Sequence, residues 1–323
     1  MLLDNGVRRS SVADYLAYHF GFDPYGPVRT GKRLRPQMVG IAADAFGALS
    51  DAWIPAAVAI ELLHNYSLIH DDIEDHDELR HGRPTLWKRI GVAQALNAGD
   101  QLCALSFLAL EQARHTTDAT VVLAMVRRLH HAHRIMCDGQ ALDLAFESET
   151  TVELAQYRTM IACKTASLFG AAAELGVMAA RNRDDADADV VRFREAGFAY
   201  GIAFQLRDDL LGIWADADTT GKAVAHDLAR RKWSFPIVWA LAQAPSAARR
   251  VIADAYALMR PLDRFEVEHV VEALDSLGAR QALESEIVTQ ARTMSDHGAQ
   301  ALYDFVAESL EVQIPKGHLG AGC

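Results

Sequence analysis

The sequence predicts an all-α fold, a large single-domain helical bundle, on three observations. Apolar residues recur at helical spacing, and the two-residue alternation of strands is nearly absent. Several long Ala/Leu-rich stretches are apolar on nearly every side, and helices of that kind must be enclosed by others. Of 323 residues, 50% are hydrophobic and 23% charged, with no Ser/Gly linker, Pro-rich run or low-complexity tract to mark a seam, so residues 1–323 read as one domain.

The helical stretches follow one another at about 53–74, 92–114, 118–146, 152–181, 187–216 and 264–310. Pro27, Pro36, Pro84, Pro236 and Pro261 fall between them or at their starts. No internal repeat supports a solenoid. No run of 18 uninterrupted apolar residues occurs, so no membrane span is expected. The opening "MLLDNGVRRS" has an acid and a glycine where a signal peptide needs an apolar run. A net charge of −11 argues against nucleic acid or anionic lipid as a partner. Cys103, Cys137, Cys163 and Cys323 form no CxxC pair and are expected to be buried thiols in a cytoplasmic protein.

The first long stretch ends in "LIHDDIED", residues 68–75. At about 100° per residue, Asp71 and Asp75 share one helix face one turn apart, while Asp72 points aside. Two carboxylates about 6 Å apart repel by about 3 kcal/mol at an effective dielectric near 20. A solvated acidic face absorbs that; a core-facing helix end needs a cation or a raised pKa. Taken alone, "DDIED" fits a magnesium site and a solvated surface equally well. A second acidic pair, Asp208 and Asp209, follows the apolar run "FAYGIAFQLR". Two such ends facing each other would form an acidic mouth over an apolar interior, a place for a metal-bound diphosphate carrying a greasy tail.

The cations to match are present. "VRTGKRLRP" clusters Arg29, Lys32, Arg33 and Arg35 ahead of the next helix. Arg80, Lys164, Lys222 and Lys232 are further candidates, each by itself compatible with an ordinary surface cation. His64, seven residues before Asp71, lies on nearly the same face two turns away; by itself it reads as a satisfied core histidine.

"GKRLRP", "LIHDDIED" with "RHGRPT", "CKTASLF", "FQLRDD" and "TGKAVAHDLARRKWSFP" stand in the order and spacing of the trans-type isoprenyl diphosphate synthases, which this chain resembles over about residues 28–240. The resemblance implies the isoprenoid synthase fold, an all-α homodimer with a deep central cavity in each subunit. It also implies magnesium-assisted loss of diphosphate from an allylic substrate, followed by head-to-tail attack of isopentenyl diphosphate. Carried over by position, Asp71, Asp75 and Asp208 would bind metal, with Asp72 and Asp209 in support. Arg80, Lys164, Lys222 and Lys232 would hold the allylic diphosphate, and Thr165 and Gln205 would face the reacting carbons. Lys32, Arg35, His64 and His81 would take isopentenyl diphosphate.

The chain departs from the family pattern in three places. His81 replaces the second of two arginines, and Arg83 is near enough to compensate. Gly212 replaces the last acid of the second motif, and Thr30 replaces a glycine before "GKRLRP". Product length is read from Ser67, one turn below Asp71, and from Tyr66 at its flank: a small residue beneath the motif opens the floor while Tyr66 limits it. The expected product is geranylgeranyl diphosphate, with farnesyl diphosphate the alternative. A class I terpene cyclase and a non-catalytic subunit of a heteromeric synthase are the rival functions. The retained Lys32, Arg35 and His64 argue against the cyclase, and two largely intact aspartate motifs against the subunit.

Overall fold

The computed structural model describes residues 11–22, 31–48, 51–215, 226–258 and 260–296, together with Leu302 and Phe305. Helices make up nearly all of it. In chain order they are α1 (Ser11–His19), α2 (Leu34–Asp44), α3 (Ile54–Glu74), α4 (Leu86–Ile90), α5 (Val92–Glu111), α6 (Ala119–Phe146), α7 (Leu154–Ile161), α8 (Ser167–Arg181), α9 (Ala188–Trp214), α10 (His226–Ala229), α11 (Phe235–Leu241), α12 (Ala247–Tyr256), α13 (Arg264–Leu277) and α14 (Ala279–Asp296). Local chemistry marks their ends. Pro sits in the first turn of α3 and of α11. Capping boxes Glu153/Gln156 and Asp263/Glu266 open α7 and α13. Gly278, at φ +76°, divides the predicted stretch 264–310 into α13 and α14.

At the centre α8 packs between α2 and α9, α9 packs on α14, and α3 runs beside α5. Nearly every residue of α8 from Leu168 to Ala179 is buried, as its all-round apolar sequence requires. The run Leu154–Arg181 is long and apolar enough by composition to cross a membrane, yet 83% of its apolar window is enclosed by the bundle. Between α7 and α8 the chain makes a π-helical turn, Ala162–Ala166. Gly139 of α6 lies against it so closely that a Cβ there would stand 2.2 Å from the Lys164 nitrogen.

Strand is nearly absent, as expected: among the described residues β1 (Leu79–Arg80) and β2 (Arg83–Pro84) form one antiparallel hairpin with Arg80 opposite Arg83. Its two-residue loop, His81-Gly82, has both φ values positive (52° and 76°), the geometry of a turn that matches strand twist. One sequence expectation needs correction, since the cysteines are less buried: Cys137 is exposed, and Cys103 and Cys163 are half-buried. Cys137 lies on the face of α6 that borders the central cavity rather than the core. Cys323 lies outside the described residues.

Helix α1 is fastened to α3 by His19, whose Nε2 donates to Asn65 Oδ1 at 3.0 Å. Burial drives this imidazole down to about 4, against a smaller upward pull from Asn65. An unfolded chain takes up the proton near pH 6.5, the folded one only near 4, so stability from the neutral ring is complete above pH 6.5 and declines as pH falls from there. The stability advantage of wild type over His19→Gln should shrink by about 2 kcal/mol between about pH 7.5 and pH 5. Urea unfolding of both proteins at the two pH values measures it, and a constant difference would contradict the assignment.

Candidate active site

A cavity of about 950 Å³ opens between the C-terminal ends of α3 and α9. Every described residue singled out as a catalytic, binding or length-setting candidate lines it: Lys32, Arg35, His64, Tyr66, Ser67, Asp71, Asp72, Asp75, Arg80, His81, Lys164, Thr165, Gln205, Asp208, Asp209 and Lys232. Lys222 lies outside the described residues, as do Arg29 and Thr30.

The first acidic motif occupies the last turn of α3, with Asp75 as its C-cap, at the negative end of the helix dipole, which disfavours anions. Asp208 and Asp209 lie in the C-terminal part of α9, more than a turn before its end at Trp214. Burial raises the Asp71 carboxyl, Lys164 opposes the shift from 4.0 Å, and Asp75 adds to it. Burial, with Asp209 next to it, pushes Asp208 up to about 7. Burial likewise lifts Asp72 to about 6 although Arg80 holds one of its oxygens at 2.7 and 2.8 Å. Its other oxygen, Oδ2, is buried without a hydrogen-bond partner. Asp209 is instead secured from three sides, accepting from Tyr157 Oη, from Phe235 N at 2.7 Å and from Gln205 Nε2 at 3.1 Å. Thr165 Oγ1 donates to Gln205 Oε1 at 2.8 Å, so the pair expected at the reacting carbons is one continuous network with Asp209.

These carboxylates fit a hard, oxygen-preferring divalent ion whose shell is completed by water and phosphate. Among the described residues no three His, Cys, Asp or Glu side chains converge into a closed metal cage. An open arrangement of desolvated carboxylates, one of them with an orphan oxygen, suits such an ion.

Two lysines stand over the acidic mouth. Lys164 Nζ donates to Asp143 at 2.6 Å, and Lys232 Nζ lies 3.9 Å from the same carboxylate, which is the main reason its ammonium is raised above the usual lysine range. In the same cavity, Arg35 Nη1 donates to His64 Nε2 at 3.0 Å, and its guanidinium lies 4.2 Å from the Phe169 ring centre. Arginine has no acceptor, so the bonded His64 nitrogen accepts and the ring is neutral. Burial and Arg35 hold His64 well below the ordinary histidine range. His81 faces the strand of chain that carries Lys32: its Nε2 is 4.0 Å from where a Cβ on Gly31 would be. At the floor, Tyr66 packs on His70 and His133 with ring centres 4.6 and 5.1 Å away, while Ser67 Oγ donates to His64 O at 2.8 Å.

The model of the "polyprenyl synthetase" family matches residues 25–274. The chain belongs to the polyprenyl synthetase family, a family of prenyltransferases. It is 44% identical over 246 residues to the (2E,6E)-farnesyl diphosphate synthase of Mycobacterium tuberculosis, covering 74% of this chain and 66% of that protein. It is 38% identical over 249 residues to a geranylgeranyl diphosphate synthase of the same organism, covering 76% of this chain and 69% of that one. Among solved structures, a polyprenyl synthetase from Streptomyces coelicolor A3(2) superposes with a TM-score of 0.83 at 32% identity, covering 93% of each chain.

Several residues of this polyprenyl synthetase site escaped the sequence reading. Asp143 carries both lysines, and its only signal was a lone acid in the apolar helical run "GQALDLAF". Tyr157 and the backbone of Phe235 reach Asp209 from distant segments, which no local pattern reveals. Asp227 stands beside Gly212: its Oδ2 lies 2.3 Å from where a Cβ at 212 would stand, so any side chain there must displace that carboxylate. Restoring the acid that the second motif lacks should therefore harm the protein. Gly212→Asp is expected to cost about 1 to 3 kcal/mol through overpacking and to lower turnover. A melting temperature and rate equal to wild type would show that Asp227 moves aside freely.

Proposed function

We propose that this chain joins isopentenyl diphosphate head to tail to an allylic diphosphate, with geranylgeranyl diphosphate as the main product. The observation that carries the reading is one cavity that gathers carboxylates from two helices, Asp71, Asp72, Asp75, Asp208 and Asp209, together with the cations Lys32, Arg35, Arg80, Lys164 and Lys232 and the neutral ring of His64.

Asp71, Asp75 and Asp208 would hold magnesium, which when bound draws electrons from the leaving diphosphate. Lys164, Lys232 and Arg80 bind the allylic diphosphate and favour the charge that grows as its carbon–oxygen bond breaks. That bond's electron pair leaves with the diphosphate. The double bond of isopentenyl diphosphate then supplies the pair for the new carbon–carbon bond, and loss of a proton restores an allylic diphosphate one unit longer. Thr165 and Gln205, tied to Asp209, turn oxygen dipoles toward the positive carbon. Walls supplied by α2, α3, α6 and α9 exclude water that would quench it.

Each added isoprene unit buries about five carbons, worth about 3 to 4 kcal/mol, so affinity always favours a longer chain and termination is steric. Ser67 leaves room beneath Asp71. Farnesyl diphosphate is the second reading, favoured by the Tyr66 ring wedged between His70 and His133. Residues 1–323 would act as one domain, as a cytoplasmic homodimer joined through the exposed apolar residues of α5 and α6: Val92, Leu96, Leu108 and Leu123.

Incubating the purified chain with isopentenyl diphosphate and each allylic primer, followed by mass analysis, tests the reading. A longer prenyl diphosphate supports it; a hydrocarbon or alcohol would mean a cyclase, and no turnover a partner subunit. Asp71→Ala and Asp75→Ala should each abolish turnover with helical content intact, and chelation of divalent metal should do so reversibly. Near-normal rates in either variant at saturating magnesium would remove these residues from the site. Ser67→Phe should shift products to fifteen carbons, the count set by three isoprene units, and Tyr66→Ala should lengthen them. If wild type already stops at farnesyl diphosphate and Ser67→Phe changes nothing, the wall lies elsewhere.

A further inference from the structure

Helix α1 precedes the family match, which begins at residue 25, yet Tyr18, His19 and Phe20 line the cavity. The Tyr18 ring lies between two guanidiniums, with Arg83 Cζ 4.2 Å and Arg89 Cζ 4.0 Å from its centre. Its hydroxyl donates to Pro84 O at 2.8 Å, which fixes the ring against the β-hairpin. Arg89 is exposed, whereas Arg83 is half-buried and lines the cavity. The half-buried His19 ring lines the same cavity, and Arg80, His81 and Arg83 are all near enough to disfavour its protonation.

The other two basic residues of the hairpin are differently placed. Arg80 is engaged with Asp72. His81 is in the left-handed turn, at φ 52°, and is exposed. An imidazole is not a permanent cation, whereas a guanidinium keeps its charge at every working pH. Arg83 is the permanent cation of the hairpin that is not paired with Asp72, and it lines the same cavity as Lys32 and Arg35.

We propose that α1 completes the second diphosphate subsite: Tyr18 positions the Arg83 guanidinium at the cavity wall, where Arg83 binds the diphosphate of isopentenyl diphosphate with Lys32 and Arg35. The stack on Tyr18 restricts a long side chain before substrate arrives, so less conformational freedom is lost on binding. Arg83 touches substrate; Tyr18 acts through it. This inference rests on the function proposed above.

Calorimetric titration of isopentenyl diphosphate into metal-free protein, with steady-state kinetics in which each substrate is varied in turn, separates the two claims. Arg83→Met should weaken isopentenyl diphosphate binding and raise its KM by about tenfold or more, with the allylic KM within about twofold of wild type, as loss of one charge-assisted hydrogen bond predicts. Tyr18→Leu should reproduce that pattern. Tyr18→Phe, which keeps the ring between the guanidiniums, should recover most of the affinity. The Tyr18→Leu/Arg83→Met double variant should be no worse than Arg83→Met, because both changes remove one interaction. Unchanged affinity in Arg83→Met, equal damage to both substrates, or an additive double variant overturns the proposal. If Tyr18→Leu fails to fold, the Arg83→Met and Tyr18→Phe results decide. A wild-type protein that neither binds nor consumes isopentenyl diphosphate would instead overturn the function itself.

Discussion

Like charge held in a poorly solvated place is the constraint on which this architecture depends. Two helices run through the core and deliver paired carboxylates to a shared cavity, the first pair at the end of α3, where the dipole already disfavours anions, the second in the C-terminal part of α9. The raised Asp71 and Asp208 carboxyls are the signature of that conflict. It is resolved in part by Lys164, Lys232 and Arg80, and in part left open. The open part is useful: a site that neutralised its own carboxylates would have no use for a divalent ion or a charged substrate.

The supporting residues keep this tension from unfolding the site. Asp143 holds Lys164 directly and lies near Lys232, so a buried carboxylate fixes the cations that face other carboxylates. Asp209 is held by Tyr157, Gln205 and Phe235, which distinguishes it physically from its neighbour Asp208. Adjacent acids thus stand in different surroundings because partners reach Asp209 from several elements.

Much of this was legible in the sequence. Helical periodicity located α3, α5, α6 and α9 to within a few residues, because long apolar helices repeat their signal over many turns. The acidic motifs and "GKRLRP" were visible because charge in an apolar context is conspicuous. What escaped depended on distance or on brevity. The hairpin at Leu79–Pro84 is too short for any alternation to register, although His81-Gly82 is its turn. The space beside Gly212 is filled by Asp227, fifteen positions on, and no spacing rule connects a missing side chain to a carboxylate that far along the chain. Helix α1 carried no motif, and its meaning comes only from where Tyr18 and His19 land.

The π-helical turn at Ala162–Ala166 bears on how such a chain can change over time. It contains one residue more than an α-helix would need to cover the same rise, and that residue sets the direction of Lys164 and Thr165 relative to α7. Losing a single position there would rotate one side of the helix against the other by about 100°, carrying the lysine off its aspartate and the threonine off its glutamine. With Gly139 pressed against the same backbone, slack to absorb an insertion is missing too. The segment can therefore drift in letters but not in length, and in any descendant that keeps the chemistry the count of residues between α7 and α8 should be more constant than their identities.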